Sequence, residues 1–399
     1  MSKLKILIVQ ELWWPKGGGG LLATHLITKI LARRGFEVKV VTGVKDYEVI
    51  NGVEFVYEPS LKAGNKLRLW LNIYALCKED WFRRLVEWAD IVYVPRYAYP
   101  VIPVAKVLKR RVIVHLHDYQ PISYTAVIFH NDRFRSDFTR TFYYESHQHG
   151  LAKALVTSPL TPINRLARRW VLQADMIICV SNRQREIIEE KMPEVKGRTI
   201  VIYNPLPNIP FISKKLTNEK ILLYLGGSSF VKGFHVLIRA VMNIMRQRSN
   251  ISFLLIGEGF KHKHEVLVKK LNDAFKGEIK LFRRLSHNDV LKLYSKSHAV
   301  LIPSICEEPF PYVVLETMLT GTLPVASRVG GIPEIIEGTD AERFMFAPGC
   351  SEEITDKIET ILSLSQDQLI NVGSKLREVT LKRFSNEVTE KRLLEVFNI

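Results

Sequence analysis

The run Lys5-Ile6-Leu7-Ile8-Val9, followed by Trp13-Trp14-Pro15-Lys16-Gly17-Gly18-Gly19-Gly20, decides the architecture. Five apolar-flanked residues without alternation are what a strand covered on both faces of a parallel sheet requires. The four glycines form a loop, and apolar residues at 22, 26, 27, 30 and 31 then recur at helical spacing up to Arg34. Gly35 ends that helix, and Glu37-Val38-Lys39-Val40-Val41 begins the next strand. Strand, loop, helix and strand make a βαβ unit.

The pattern repeats outward from this start. Asp90–Val94, Arg111–Leu116 and Asp175–Val180 read as further buried strands, with one Trp-rich helical stretch over 69–88. Val201-Ile202-Tyr203-Asn204-Pro205-Leu206-Pro207 suits a connection between domains. Ile221–Leu225 then restarts the series, Gly226-Gly227 opens a loop, and Phe234–Met245 is helical. Ile251–Ile256, Ala299–Pro303 and Leu323–Ala326 supply a second sheet. The expected fold is α/β, with two Rossmann-like domains facing across a cleft. The expected boundaries are 1–205 for the first domain, 206–380 for the second, and 381–399 for a helix crossing back.

Composition narrows the class. The 399 residues are 47% hydrophobic and 25% charged, which excludes a mainly disordered chain. No run approaches the roughly 18 apolar residues of a membrane span, and the start does not read as a secretory signal. Four cysteines, at 77, 179, 306 and 350, form no CxxC pair, so a reducing cytosol is the expected location. The net charge of +16 is uneven, with +12 in residues 1–200 and +4 in 201–399. An anionic partner of the first half follows: phosphorylated substrate, membrane surface or nucleic acid.

Three motifs carry chemistry. The glycine loop lets backbone N–H groups approach an anion beside a helix N-terminus, although it is neither GxGxxG nor a P-loop, and a plain tight turn fits it equally. Lys232-Gly233 puts a cation at the mouth of a strand–loop–helix, where an ordinary surface lysine also fits. Pro303-Ser304-Ile305-Cys306-Glu307-Glu308-Pro309-Phe310-Pro311-Tyr312-Val313-Val314-Leu315-Glu316 places Glu308 and Glu316 eight positions apart. With a helix from Phe310, Glu308 sits at its positive end and Glu316 two turns inside. Spacing alone leaves both as helix-stabilising residues.

The 303–334 segment, ending in Gly330-Gly331-Ile332-Pro333-Glu334, resembles the EX7E region of the GT4 group of retaining glycosyltransferases, which have the GT-B fold. The glycine loop, His117-Asp118, Val180-Ser181, Ile202-Tyr203-Asn204-Pro205, Lys232-Gly233 and Gly257-Glu258-Gly259 occur in the family's order, so the resemblance spans nearly the whole chain. It implies sugar transfer from a nucleotide-diphosphate sugar, without metal or pyridoxal phosphate. It assigns Glu308 to the donor sugar, Glu316 to the ribose and Lys232 to the leaving diphosphate. Gly18, Gly19, Gly227, Ser228, Glu258 and the Phe310-Pro311-Tyr312-Val313 backbone become donor-binding, and His117 contacts the reacting sugar or acceptor.

Three departures from the family stand out. Gly227 occupies the place of a phosphate-binding arginine, leaving Lys232, Ser228, Ser229 or Arg328 to compensate. Pro311 replaces a glycine and removes one N–H, and Arg283 stands near the base edge. His115-x-His117 and His147-x-His149 lack further residues at ligand spacing, so no metal site is expected.

Residues 129–144 interleave cations and aromatics, among them Arg133, Arg135, Arg140 and Tyr143. Three readings fit: an anionic membrane surface, a phosphorylated acceptor site, or an ordinary amphipathic helix. No nucleic-acid module is recognised, so nucleic acid is not expected. The acceptor is expected to be a glycan, a phosphorylated molecule or a lipid-linked one, with cytoplasmic work at or near the inner face of a membrane. The alternatives are a sugar-nucleotide epimerase or other enzyme on the same scaffold, and a non-catalytic nucleotide-sugar-binding protein.

Overall fold

The computed structural model describes residues 3–397. Two all-parallel sheets organise it. The first contains β1 (Lys5–Gln10), β2 (Glu37–Thr42), β3 (Val53–Tyr57), β4 (Ile91–Val94), β5 (Arg111–Leu116), β6 (Met176–Cys179) and β7 (Thr199–Val201). Its order is β3-β2-β1-β4-β5-β6-β7. The second contains β8 (Lys220–Tyr224), β9 (Ile251–Ile256), β10 (Glu278–Phe282), β11 (Ala299–Ile302), β12 (Leu323–Ser327) and β13 (Met345–Phe346), in the order β10-β9-β8-β11-β12-β13. Both sheets reverse direction of winding beside their first strand, between β1 and β4 and between β8 and β11. Those are the points where loops part at the carboxyl ends of strands and leave room for a ligand.

The central strands are buried because helices cover both faces: Ile6, Leu7, Ile8 and Val9 are fully inaccessible. The Trp-rich stretch is two helices, Lys66–Leu76 and Asp80–Trp88, rather than one over 69–88. Asn65 caps the first by accepting from the Arg68 N–H. The helix after Glu308 starts at Tyr312, not Phe310, because Pro311 holds extended backbone at its N-cap. Glu316 therefore lies just past the first turn, not two turns inside.

The chain crosses between domains twice. It leaves the first sheet after β7, passes Leu206, and builds the second domain. After helix Gln366–Arg383 it returns as helix Asn386–Phe397. Leu393, Val396 and Phe397 of that helix pack with Ile6, Ile8 and Tyr93 of the first sheet. Glu390 pairs with Arg33 at 2.6 Å and also with Arg34. Residues 398–399 lie outside the described residues. At the crossing, the Asn386 side chain accepts from the Leu206 N–H (2.7 Å) and donates to the Leu206 carbonyl (3.0 Å). Tyr203, Phe310 and Phe384 form a mutual aromatic cluster beside it, with centroids 4.9–5.4 Å apart.

Candidate active site

Three loops at strand ends converge between the domains. They are the glycine loop after β1, residues 226–233 after β8, and residues 303–311 after β11. Together they enclose a cavity of ≈ 370 Å³ lined by Gly18, Gly19, Gly20, His117, Asn204, Gly226, Lys232, Ser304, Glu308, Phe310, Pro311, Tyr312 and Val313, among others. Only Gly17 and Gly18 of the four glycines are loop; Gly19 and Gly20 already open helix Gly19–Arg33, and this turn packs tightly here. A Cβ on Gly19 would stand 3.0 Å from the Tyr312 ring, and one on Gly20 3.1 Å from the His117 Cβ, whereas Gly18 faces open space.

Lys232 Nζ donates to both oxygens of Glu308, at 2.6 and 2.8 Å, and Ser304 Oγ donates to Oε1 at 2.7 Å. Burial pulls the Lys232 ammonium down, but the Glu308 carboxylate more than offsets this and leaves it above its usual range. The pair sets a fixed cation and a fixed acceptor at one wall of the cavity. Helix Tyr312–Leu319 begins at the same cavity, so the Tyr312 and Val313 N–H groups have no intrahelical acceptor and offer the positive end of the helix dipole to an anion.

His117 supplies a different surface. Both ring nitrogens are buried without a hydrogen-bond partner among the described residues, as is Asn204 Oδ1. Burial, helped by Arg96, pulls the His117 imidazole down to about 3, so it is neutral at physiological pH. A neutral imidazole and an amide oxygen lacking partners are matched to ligand hydroxyls, which both donate and accept. His115 lies behind it, ring-stacked at 4.3 Å, with Nδ1 2.7 Å from the Tyr93 hydroxyl.

Other expected site residues lie outside this cavity. Glu316 is buried and holds His287 Nε2 at 2.8 Å and the Tyr294 hydroxyl at 3.3 Å. The carboxylate raises His287 above its usual value against the opposing effect of burial. Glu258 is exposed, 3.6 Å from Arg284, and Ser228 lines a separate pocket with His147 and His235. Gly227 has φ +57°, and a Cβ there would meet the Glu258 carbonyl oxygen at 2.2 Å. Backbone geometry, not only a lost charge, therefore explains the glycine in the arginine's place. Arg328 turns away to Glu337 at 3.0 Å and does not compensate.

On the first domain, Arg133 and Arg135 are exposed. Arg140 is not part of an open basic face. It is 4% exposed and pairs with Asp132 at 2.7 Å and Asp137 at 3.0 Å. Tyr143 packs against Phe129, Phe134 and Phe230, the last from the other domain, so its role is in the seam.

Contacts that close the cleft were missed in the sequence. Glu307 is 2% exposed and takes His130 at 3.1 Å and Arg183 at 3.4 Å from the first domain, while accepting from the Gly330 N–H at 2.8 Å. Glu334 accepts from the Asn182 and Arg183 N–H groups, the Asn182 side chain and the Tyr203 hydroxyl, at 2.8–3.0 Å. It therefore supplements the Ser181 cap of helix Asn182–Lys191, in the opposite domain, by taking the first two N–H groups. Arg284 donates to the Pro15 and Gly17 carbonyls at 3.2 and 3.0 Å, pinning the glycine loop. Only the position of Glu334, in the Gly-Gly-Ile-Pro-Glu motif, carried any signal.

The sequence matches the family described as glycosyl transferases group 1 over residues 207–377, and glycosyltransferase family 4 over residues 17–207. An uncharacterised glycosyltransferase of Methanocaldococcus jannaschii is 27% identical over 355 residues, covering 84% of this chain and 83% of that protein. A phosphatidylinositol N-acetylglucosaminyltransferase component of Arabidopsis thaliana is 21% identical over 84% of this chain and 69% of its own length. Among solved structures, HepE of Anabaena in complex with UDP and glucose superposes with a TM-score of 0.67 at 19% identity, covering 99% of each chain. Sucrose-phosphate synthase of Thermosynechococcus elongatus gives 0.75 at 17%, covering 99% and 98%. With two switch-point loops facing one cavity, the GT-B architecture, and both halves matched in order, the chain belongs to the GT4-type glycosyltransferases.

Proposed function

We propose that the chain is a retaining, metal-independent hexosyltransferase that uses a nucleoside-diphosphate sugar. The observation that carries this reading is the cavity in which the Lys232–Glu308 pair faces the Tyr312 and Val313 N–H groups and the neutral His117. Lys232 and the helix N-terminus stabilise negative charge as it develops on the leaving diphosphate. Glu308 accepts from donor-sugar hydroxyls, and Glu316, already fixed by Tyr294, takes ribose hydroxyls in exchange for His287. His117 bonds a sugar or acceptor hydroxyl.

In the transfer step, the acceptor oxygen attacks the anomeric carbon from the face that the diphosphate leaves. The new C–O bond forms as the old one breaks, and the acceptor proton passes to a β-phosphate oxygen. Pro311 contributes no N–H to this site, so Tyr312 and Val313 carry the backbone share. A UDP-sugar is the first donor to try, because HepE is a neighbour with UDP-glucose bound.

The acceptor is a glycan or a lipid-linked or phosphorylated molecule received by the basic first domain. Relatives named for transfer to phosphatidylinositol and to lipopolysaccharide favour a lipid-linked one. Among the described residues no helix is long and apolar enough to cross a membrane. Attachment to an anionic cytoplasmic surface is the corresponding reading, and flotation with anionic vesicles tests it. A donor screen with UDP-, GDP- and ADP-sugars, followed by analysis of product stereochemistry, tests the chemistry. Retention at the anomeric carbon is expected, and inversion overturns the mechanism.

A further inference from the structure

The first domain holds a second polar cavity, of ≈ 450 Å³, that shares no lining residue with the cleft. Lys66, Gln120, Tyr124, Tyr144, Glu145 and His149 shape its walls. Glu145 is 7% exposed, and its Oε2 has no hydrogen-bond partner among the described residues; His149 Nε2 is 3.8 Å away. Lys66 Nζ lies 3.3 Å over the Tyr124 ring centroid and 3.4 Å from Gln120 Oε1. Gln120 is itself fixed, since its side-chain amide donates to Asn164 Oδ1 and its backbone carbonyl accepts from Asn164 Nδ2. Burial pushes the Glu145 carboxyl up and pulls the Lys66 ammonium down to about 8.

A buried carboxylate oxygen without a donor is costly, so the walls are complete only when a ligand donates there. An apolar ligand leaves that oxygen stranded, and a fully ionised anion, although Lys66 and Lys153 of the lining attract it, has no proton to donate to Glu145 Oε2. A ring bearing several hydroxyls satisfies the whole set: one hydroxyl donates to Glu145, another accepts from Lys66, and the ring's C–H face rests on tyrosine. We propose that this cavity binds a polyhydroxylated ring, a sugar or cyclitol, between Glu145 and Lys66. Gln120, which also lines it, donates its backbone N–H to Asp118 Oδ1 at 2.9 Å, and Asp118 is the neighbour of His117 in the cleft. The site thus adjoins the reacting region without being part of it, and its binding is independent of the transfer reading.

The ring has two sources, a free glycan or the headgroup of an amphiphile. Exposed apolar side chains share the helices of two lining residues: Leu71 and Tyr74 with Leu67 on Lys66–Leu76, and Leu151 and Leu155 with Val156 on Leu151–Thr157. Titration calorimetry on the intact chain with maltose, myo-inositol and dodecyl maltoside below its micelle concentration tests the proposal without turnover. One-to-one binding of at least one probe is expected. Glu145→Gln is expected to weaken it tenfold or more while UDP affinity stays within twofold. Lys66→Met gives the same reading should the first variant misfold, with circular dichroism as the check on folding. Dodecyl maltoside binding tenfold tighter than maltose, with the gain erased in a Leu71→Ser/Leu155→Ser variant, assigns an amphiphile; equal affinities assign a free glycan. Binding of none of the probes, or undiminished binding in both pocket variants, overturns the proposal. So does tight binding of inorganic phosphate that strengthens in Glu145→Gln.

Discussion

Removing the Glu308 carboxylate deletes an acceptor in the cavity and leaves the Lys232 ammonium without its partner. Glu308→Ala is therefore expected to lower kcat by about 10²–10³, the scale of losing one preorganised electrostatic contact. Steady-state kinetics with the donor found in the screen checks it, and full activity would refute the assignment. His117 allows a separate test through pH. Its unfolded value is 6.5 and its folded value about 3, so between those limits the unfolded chain binds a proton that the native chain does not. Stability must then fall as pH drops from 6.5 toward 3, by up to about 1.4 kcal/mol per pH unit from this residue. His117→Gln is expected to flatten that acid limb, measured by urea unfolding at pH 7, 5 and 4.

Loops and helices show a second layer of constraint. Gly227→Arg would restore the family's cation, but the backbone has φ +57° and the new Cβ would meet the Glu258 carbonyl. The expected outcome is a loss of about 1–3 kcal/mol and no gain in donor affinity, read by thermal unfolding and nucleotide titration. In the glycine loop, Gly18→Ala should be tolerated, whereas Gly19→Ala must push Tyr312 and raise KM. At this scale the sequence was most readable. Runs such as Ile6–Val9 and Ile251–Ile256 are apolar because both faces are covered, and Gly35 marks a helix end by its φ of +89°. Lys232, Glu308 and the glycine loop were legible only through the family resemblance, since spacing alone also fits a surface lysine, a helix-stabilising carboxylate and a plain turn; the structure brings them to one cavity. Arg140 reads as one of the exposed cations although its partners Asp132 and Asp137 lie in the same stretch, the second at i−3, where a helical ion pair is expected. Glu307 and Glu334 left little trace, since their partners in the other domain lie more than a hundred residues away and follow no periodicity.

For the whole molecule, closure depends on a few charged contacts. Glu334 takes the first two N–H groups of helix Asn182–Lys191 from across the cleft, beside the Ser181 side-chain cap, so Glu334→Ala leaves those donors without their acceptor, costs about 1 kcal/mol, and loosens the closed state. A higher KM with an expanded radius of gyration by solution scattering is the expected signature. The returning helix is worth more. Leu393 is fully buried against the first sheet, and Leu393→Ala is expected to cost about 2–5 kcal/mol by chemical denaturation. The same helix has a mechanical consequence. Because Asn386 binds both the N–H and the carbonyl of Leu206, the outgoing and returning chains are fastened side by side at one point. Two tethers joined there make that seam the expected pivot when the domains move apart. Opening about it carries the glycine loop and the Tyr312 helix apart, and closing brings them back into register.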